Sequence, residues 1–445
     1  MTAAPDDDCL SCMYCEKLDE ESSYSEGIMK SMKNIVIGRN NWLFRSDVDL
    51  STDFGIPNNF KSEFNRLVSE LNKKGIELVV MLQPTRGLIH RDQVAEKSHY
   101  SDVLALKNFI AFERQLIASG SVVPEMHFLL EGEKLDRDYF FRRDHHWTPF
   151  GARISAKIVA DKIKSIPLYK SLKIKKFSTE QGVLIPKDGT MNRALMRLCG
   201  NNFGSQYVQG FSTYSEDTSE DALFGDEVTP EIVLVGTSNS AQRDDDRKNY
   251  NFDGFLKDFL QVDVLNQSLP GGGQDGSFIQ YLLNEYDMNN PPKVILWELP
   301  VSYALDDSLM YRQLIPAIKG GCNAASKDVT VSNSFELSEF KVKQRYELFK
   351  GKDLVQHNIR PNKYALELSL SDTSLKDFYV ITYFENGERD KVWFRRYDIV
   401  DGGKYLLEMT KIPEHRENKI TSIFIEPTEP SKAGTNVEAT LCPLS

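Results

Sequence analysis

No run of about 18 apolar residues, the length needed to span a bilayer as a helix, occurs in this chain, so a transmembrane helix is not expected. The first residues, Met1-Thr2-Ala3-Ala4-Pro5, carry neither a basic n-region nor an apolar h-region, which implies that any signal peptide has already been removed. Positive charge is in deficit. Against 65 Asp and Glu there are 54 Lys and Arg, a net charge of −11, and that balance argues against a nucleic-acid partner. Internal repeats and long low-complexity tracts are missing, so repeat architectures are excluded, and the acidic stretch 212–227 (STYSEDTSEDALFGDE) is expected to be a mobile loop. Cysteine is scarce, at 6 residues, yet Cys9, Cys12 and Cys15 cluster near the start. This C-x-x-C-x-x-C run offers a metal three thiolates, but no fourth Cys or His lies nearby to close a tetrahedral site, so neither metal nor cofactor is implied.

The 445 residues exceed one compact core and predict two or three domains, and 40% hydrophobic content is ample for folded ones. Residues 77–82 (ELVVML), 231–235 (EIVLV), 262–266 (VDVLN) and 293–298 (KVILWE) are short apolar runs ending in polar or glycine-containing loops, the pattern of parallel strands buried on both faces. Helical spacing over 60–74, 102–118, 149–163 and 275–285 separates them. From about Val329 the pattern changes to short alternating or β-branched runs at 365–371, 378–384, 392–397, 405–409 and 421–426, with turns at Asn386-Gly387 and Asp401-Gly402-Gly403. An α/β domain over 1–328 and a β-sandwich over 329–445 are therefore expected.

Function in an open parallel sheet gathers at the carboxyl ends of its strands. The strand 231–235 runs straight into Gly236-Thr237-Ser238-Asn239-Ser240, so Ser238 is expected at an abrupt strand-to-turn corner with its Oγ above the sheet edge. In Asp144-His145-His146-Trp147-Thr148-Pro149, Thr148 and Pro149 predict the cap and first turn of a helix, leaving Asp144 and His146 in an extended segment. Residues two apart in an extended chain point the same way, so Asp144 could hold the His146 imidazole while it takes a proton from Ser238, and His145 should point elsewhere. Singly, a serine after a strand is more often an N-cap, and a histidine beside a tryptophan more often packing, than either is a catalyst. Together they have the parts acyl transfer needs. Gly271-Gly272-Gly273 reads either as a helix-entry turn or as a source of oxyanion donors, with the N–H of Ser238 and that of Gly273 as the pair.

Taken with Asn41-Trp42-Leu43-Phe44-Arg45, Gln83-Pro84-Thr85-Arg86-Gly87, Leu198-Cys199-Gly200-Asn201 and Tyr311-Arg312-Gln313, these motifs make almost the whole chain resemble the alginate O-acetyltransferases of the AlgX type. Those are periplasmic enzymes with an SGNH-hydrolase-like domain followed by a carbohydrate-binding module. Ordinary SGNH esterases carry the serine early and an Asp-x-x-His pair late. Here Asp-x-His precedes the serine, the permuted arrangement of the acetyltransferases.

The resemblance implies a permuted SGNH-like parallel sheet with flanking helices followed by a jelly-roll, with Ser238 as nucleophile, His146 as general base and Asp144 as its orienter. Acetyl would pass through an acetyl-serine to mannuronate hydroxyls of alginate. It also implies Cys15–Cys199 and Cys322–Cys442 bridges, suited to an oxidising periplasm; Cys9 and Cys12 are left as a pair or as free thiols. Tyr250, Tyr303 and Arg86 are expected at the sugar site, and Tyr383, Trp393, Arg389, Lys391 and Arg395 on the C-terminal module. Arg142, Arg143, Arg153 and Arg396 are further cations where uronate carboxylates could dock. The implied partners are alginate and other periplasmic components of alginate biosynthesis and export, while no acetyl donor is specified. Residues 243–248 (RDDDRK) depart from the family pattern at the substrate mouth. Two other functions use the same residues: an acetyl-esterase, in which water resolves the acyl-enzyme, and a non-catalytic binding scaffold.

Overall fold

The computed structural model describes the chain except for residues 1–12, 33, 132–134, 217–229, 325–329, 338, 410–416, 432–433 and 445. Its residues fall into two compact units, one built from Met1–Asn58, Glu77–Ser268 and Pro292–Leu305, the other from Asn59–Ile76, Leu269–Pro291 and Asp306–Ser445.

The first unit is organised by a four-stranded parallel sheet in the order Glu77–Gln83, Val294–Pro300, Ile232–Val235, Val264–Asn266. Every residue of Ile232–Val235 is buried, as are six of the seven in each of the two longer strands of the sheet, Val294–Pro300 and Glu77–Gln83. Strands this apolar need cover on both faces. Helix Asp102–Ala118 contributes Phe109, Phe112 and Leu116 to the core, and helix Pro149–Ser165 contributes Ala152, Ala156, Val159, Ala160 and Ile163. The small residues of the latter let helix Phe252–Leu260 pack against it. The α/β architecture expected from the apolar runs is the one observed.

An antiparallel hairpin, Phe177–Lys187 paired with Gln206–Ser215, stands apart from this sheet and brackets helix Thr190–Cys199. Residues 212–215 were expected in a loop but form the end of this hairpin. Their pairing is non-local and polar: Thr213 Oγ1 meets Thr179 Oγ1 at 2.8 Å and accepts Asn251 Nδ2 at 3.0 Å, a tertiary override of weak strand propensity. Most of that acidic stretch lies outside the described residues. Near the start, Leu18, Met29, Met32, Ile35 and Leu43 pack with Met191 and Leu195, and a Cys15–Cys199 disulfide secures this cluster.

The second unit is the expected sandwich of two antiparallel sheets, ordered Tyr346–Glu347, Ile420–Pro427, Asp377–Phe384, Arg389–Arg395 and Lys404–Glu408, Tyr364–Leu370, Thr435–Pro443, Val331–Leu337. Phe378, Phe394, Ile423 and Ile425 from one sheet meet Leu366, Leu368, Tyr405, Leu407 and Leu441 from the other. Helices Lys61–Lys73, Gly276–Asn284 and Ser308–Ile318 belong to this unit although they precede residue 329. Arg312 on the last of them donates to the carbonyl oxygens of Glu408 (2.8 Å) and Met409 (2.9 Å) and pairs with Asp390 at 2.8 Å. A second disulfide joins Cys322 to Cys442. Cys9 and Cys12 lie outside the described residues. No described helix is long and apolar enough to cross a membrane.

Candidate active site

The strand Ile232–Val235 ends at Gly236, where a Cβ would come within 2.7 Å of Glu298 Oε2. Glycine is therefore required for the chain to pass so close to its neighbouring strand. The turn that follows is closed by Ser240 N–H donating to Thr237 O (3.2 Å) and leaves Ser238 partly exposed between buried neighbours. Glu298 itself is fully buried, and its Oε2 accepts from Thr237 N (2.7 Å), Thr237 Oγ1 (2.9 Å) and Ser240 Oγ (2.8 Å). One carboxyl on the adjacent strand thus clamps the turn on both sides of the serine.

Across from it, Thr148 Oγ1 accepts Gly151 N at 3.1 Å and Pro149 occupies the first turn of the following helix. The segment before it is not extended, as the sequence pattern suggested. Phe141 N donates to His146 O and Thr148 N to Tyr139 O, which folds residues 141–146 into a tight loop. Inside the loop His146 N donates to Asp144 Oδ1 at 3.1 Å, an Asx-type turn that brings the carboxylate back onto its own imidazole. His146 Nδ1 meets Asp144 Oδ1 at 2.5 Å, and His146 Nε2 meets Ser238 Oγ at 2.8 Å. Asp144 Oδ2 accepts the backbone N–H of Thr190 at 2.9 Å.

Asn239 joins the two halves. Its Oδ1 accepts Trp147 N (3.2 Å), its carbonyl accepts Trp147 Nε1 (2.9 Å), and its Nδ2 donates to Gln83 Oε1 (3.1 Å). His145 does not point away: its ring lies 3.8 Å from that of His146, and Nδ1 meets Thr190 Oγ1 at 2.7 Å. The turn, unlike a strand, puts consecutive rings side by side. The ligand atoms of Asp144, His145 and His146 lie within 4.8 Å of one another, the spacing of a metal trio, but Asp144 and both rings are engaged in the hydrogen bonds just described.

Electrostatics suit proton transfer. Burial alone would push the Asp144 carboxyl up, but the charge and hydrogen bond of His146, with His145 and Lys187 behind them, hold it well below its ordinary 3.8. Burial pushes His146 below its ordinary 6.5 although Asp144 pulls the other way, and Lys187 and Arg243 add to the lowering. A neutral imidazole beside an ionised carboxylate is the state that can accept the serine proton.

Asp144 and His146 open onto a cavity of about 540 Å³ that Lys187, Arg193, Arg243 and Tyr250 also line. Tyr250, one of the expected sugar-site residues, is buried there, 5.4 Å from the His146 ring, and accepts Lys187 Nζ at 2.7 Å. Tyr303 sits half-buried in the loop after Val294–Pro300. Arg86 is a correction. It is 1% exposed and its guanidinium donates to the carbonyl oxygens of Phe141 (2.6 Å), Asp144 (2.7 Å), Leu43 (2.8 Å) and Arg142 (3.1 Å), so it builds the histidine loop and cannot reach a sugar. Arg142 pairs with Asp138 at 2.8 Å, Arg143 is buried, and Arg153 lies over Phe211 and Phe255. Gly273 belongs to the second unit, where it has a φ of 67° and a Cβ would strike the Tyr397 ring.

In the second unit, strand Arg389–Arg395 alternates exposed and buried, and Arg389, Lys391, Trp393 and Arg395 all fall on its exposed face. Trp393 stacks on Tyr379 of the next strand (5.6 Å, 23°), Lys391 Nζ lies 3.8 Å from the Tyr379 ring centroid, and Arg395 lies 5.2 Å from that of Trp393. Tyr383 is on the same sheet, opposite Arg389, with its hydroxyl accepting from Arg345. Arg396 is a second correction: it turns inward, 4.0 Å from the Tyr405 ring, and donates to Asp401 O.

Sequence reasoning missed Glu298, Asn239, Lys187, Thr190 and Arg193. An acidic residue closing an otherwise apolar strand was the signal for Glu298, and Asn239 stands in the Gly236–Ser240 motif itself; Lys187, Thr190 and Arg193 stand in no motif.

A family model described as an SGNH hydrolase-like domain, acetyltransferase AlgX, matches residues 35–301, and one for a C-terminal carbohydrate-binding module matches 321–445. The chain is 35% identical over 437 residues to the alginate biosynthesis protein AlgX of Pseudomonas aeruginosa, covering 96% of this chain and 88% of that one. A Pseudomonas fluorescens protein named "Probable alginate O-acetylase AlgJ" is 30% identical over 278 residues, 60% of this chain and 68% of its own. A solved structure of Pseudomonas aeruginosa AlgX, 33% identical, matches with a TM-score of 0.85, covering 97% of this chain and 100% of that one. The chain belongs to the AlgX family of SGNH hydrolase-like acetyltransferases.

Proposed function

We propose that this chain transfers acetyl groups to mannuronate hydroxyls of alginate, through an acetyl-serine on Ser238. The observation that carries the reading is the unbroken line from Asp144 through His146 to Ser238 Oγ, at 2.5 and 2.8 Å. His146 Nε2 takes the Ser238 proton as Oγ attacks the donor's acetyl carbonyl, and returns that proton to the departing donor group. A sugar hydroxyl then attacks the acetyl-serine while His146 takes its proton. The acetyl ends on the sugar, and Ser238 recovers its hydrogen from the imidazolium. Asp144 keeps the imidazole in one tautomer throughout, and the N–H of Ser238 is a donor for the oxyanion.

The exposed Trp393–Tyr379 stack, with Lys391, Arg389 and Arg395 around it, suits a uronate polymer: rings pack on sugar faces while cations take carboxylates. Two disulfides fit an oxidising compartment, which for an alginate biosynthesis protein is the periplasm, among other components of alginate assembly and export. Incubation with a chromogenic acetyl ester and mannuronate oligomers tests the reading by mass spectrometry. Acetylated sugar made by the wild type and not by Ser238→Ala supports it. Free acetate without acetylated sugar makes the protein an esterase, and polymer binding without either product makes it a scaffold.

A further inference from the structure

Three arginines line the cavity beside His146 without serving the triad: Arg243, five residues after the nucleophile, Arg193, on helix Thr190–Cys199, and Arg247, which is exposed. Among the described residues neither the Arg243 nor the Arg193 guanidinium has a hydrogen-bond or ion-pair partner, and of the three arginines only Arg243 has its Nε sealed from solvent as well. A donor that is out of water and unbonded carries a desolvation cost, and a bound acceptor would return it. The two lysines of the cavity are committed. Lys187 Nζ donates to Tyr250 Oη (2.7 Å) and Arg247 O (2.9 Å), and Lys248 pairs with Asp245 at 3.3 Å. Arg243 is also near enough to the catalytic imidazole for its charge to help keep His146 neutral.

The free fork of an arginine matches one ligand shape best, a planar carboxylate taken by two parallel N–H groups. Each uronate ring carries one carboxylate. We infer that Arg243, with Arg193, forms a carboxylate subsite that seats the acceptor uronate so that its hydroxyl meets the acetyl-serine. The inference rests on the proposed uronate acceptor. It assigns a use to part of the charged insert 243–248: the insert supplies a specificity residue at the mouth of the cavity.

The test compares acetyl transfer to mannuronate oligomers with transfer to the same oligomers after their carboxylates have been reduced to alcohols. The wild type should prefer the uronate. Arg243→Gln should lower kcat/KM on the uronate about tenfold or more, chiefly through KM, and shrink the preference by the same factor. Arg243→Lys should restore only part of it, because an ammonium cannot form the bidentate fork. Arg193→Gln, at an exposed helix position that endangers folding less, should shift the preference in the same direction. Equal losses on both acceptors, or a preference unchanged in both Gln variants, would overturn the subsite while leaving the transferase reading intact. Wild-type enzyme that acetylates neither acceptor would refute the transferase reading, and the subsite falls with it.

Discussion

Arg86 and Asp144 meet where the guanidinium donates to the backbone carbonyl of the aspartate at 2.7 Å, across 58 residues of sequence. The same side chain holds three more carbonyl oxygens of the loop and its neighbour strand, and it lies 3.4 Å from Asp49. Burial pulls its pKa down to about 10 against the pull of Asp49, so it remains charged at neutral pH. Arg86→Met therefore takes a charged donor from four backbone carbonyl oxygens, while Asp49 keeps Arg45 and Arg142 O keeps the Leu43 N–H, and should destabilise the protein by on the order of 3–5 kcal/mol. Turnover should fall with it, because Asp144 loses its anchor. Urea unfolding that matched the wild type would refute this scaffold role.

Removing triad members should give losses that do not add. Ser238→Ala, His146→Ala and Asp144→Asn should each cost roughly 10³–10⁴ or more in kcat, and double variants little beyond the worst single one. Ester turnover at fixed substrate checks this, with circular dichroism to verify folding.

The pH profile follows from His146. Protonation on Nε2 ends its role as base, so activity is lost as pH falls through its pKa. Burial holds that pKa below 6.5, so the acid limb of kcat/KM should lie below 6.5. Lys187 contributes to the lowering, and replacing it with Gln should move the limb to higher pH. A limb that moved to lower pH in Lys187→Gln would contradict the electrostatic account.

Glu298 accepts three hydrogen bonds on one oxygen, and burial raises its pKa toward the neutral form. Glu298→Gln keeps an accepting oxygen and should retain most turnover. Glu298→Ala releases Thr237 and Ser240 and should cost about 10²-fold, the penalty of a nucleophile displaced by an ångström. Equal activity in the two variants would show that the clamp does not position Ser238.

Much of this site was legible in the sequence because its parts are local. A buried apolar strand that breaks at Gly236 puts Ser238 at its end, and Thr148-Pro149 marks a helix start wherever it occurs. What stayed hidden depends on non-local contacts. Arg86 reads as a polar loop residue until its four carbonyl partners from distant segments are known. Lys187 and Thr190 reach Asp144 only because a Ser-, Thr- and Gln-rich hairpin pairs against weak propensity. Strands Val331–Leu337 and Thr435–Pro443 escaped notice because Asn333 in the one, and Thr435 and Ala439 in the other, fall on the inward side and thin the apolar half of the alternation.

The disulfides are tested by peptide mapping of non-reduced protein, which should yield Cys15–Cys199 and Cys322–Cys442 peptides. Cys322→Ser should cost roughly 2–4 kcal/mol, since the bridge closes a loop of 120 residues. A Tm unchanged by that substitution would mean that native strain offsets the gain.

The interleaving of the second unit changes how polymer binding should be tested. Deleting residues from about 330 onward would strip the sandwich from helices Lys61–Lys73, Gly276–Asn284 and Ser308–Ile318, which belong to the same compact unit, so a truncated protein would fail for reasons unrelated to sugar. Point substitutions on the exposed face avoid this. Trp393 is 44% exposed and stacks only on Tyr379 among its aromatic neighbours in the described residues, so Trp393→Ala removes a binding surface with little loss of core. It should weaken polymannuronate binding by about 1–2 kcal/mol, the scale of an aromatic contact flanked by cations. Replacing Arg389 and Arg395 together should weaken binding further at low salt and flatten its salt dependence, because the screened contribution is theirs. Lys391 is partly held by Glu426 at 2.9 Å, so its loss should matter less. Calorimetric titration with long oligomers at two salt concentrations separates the contributions. Affinity untouched in both Trp393→Ala and the double arginine variant would leave this face a structural surface and move the polymer site elsewhere.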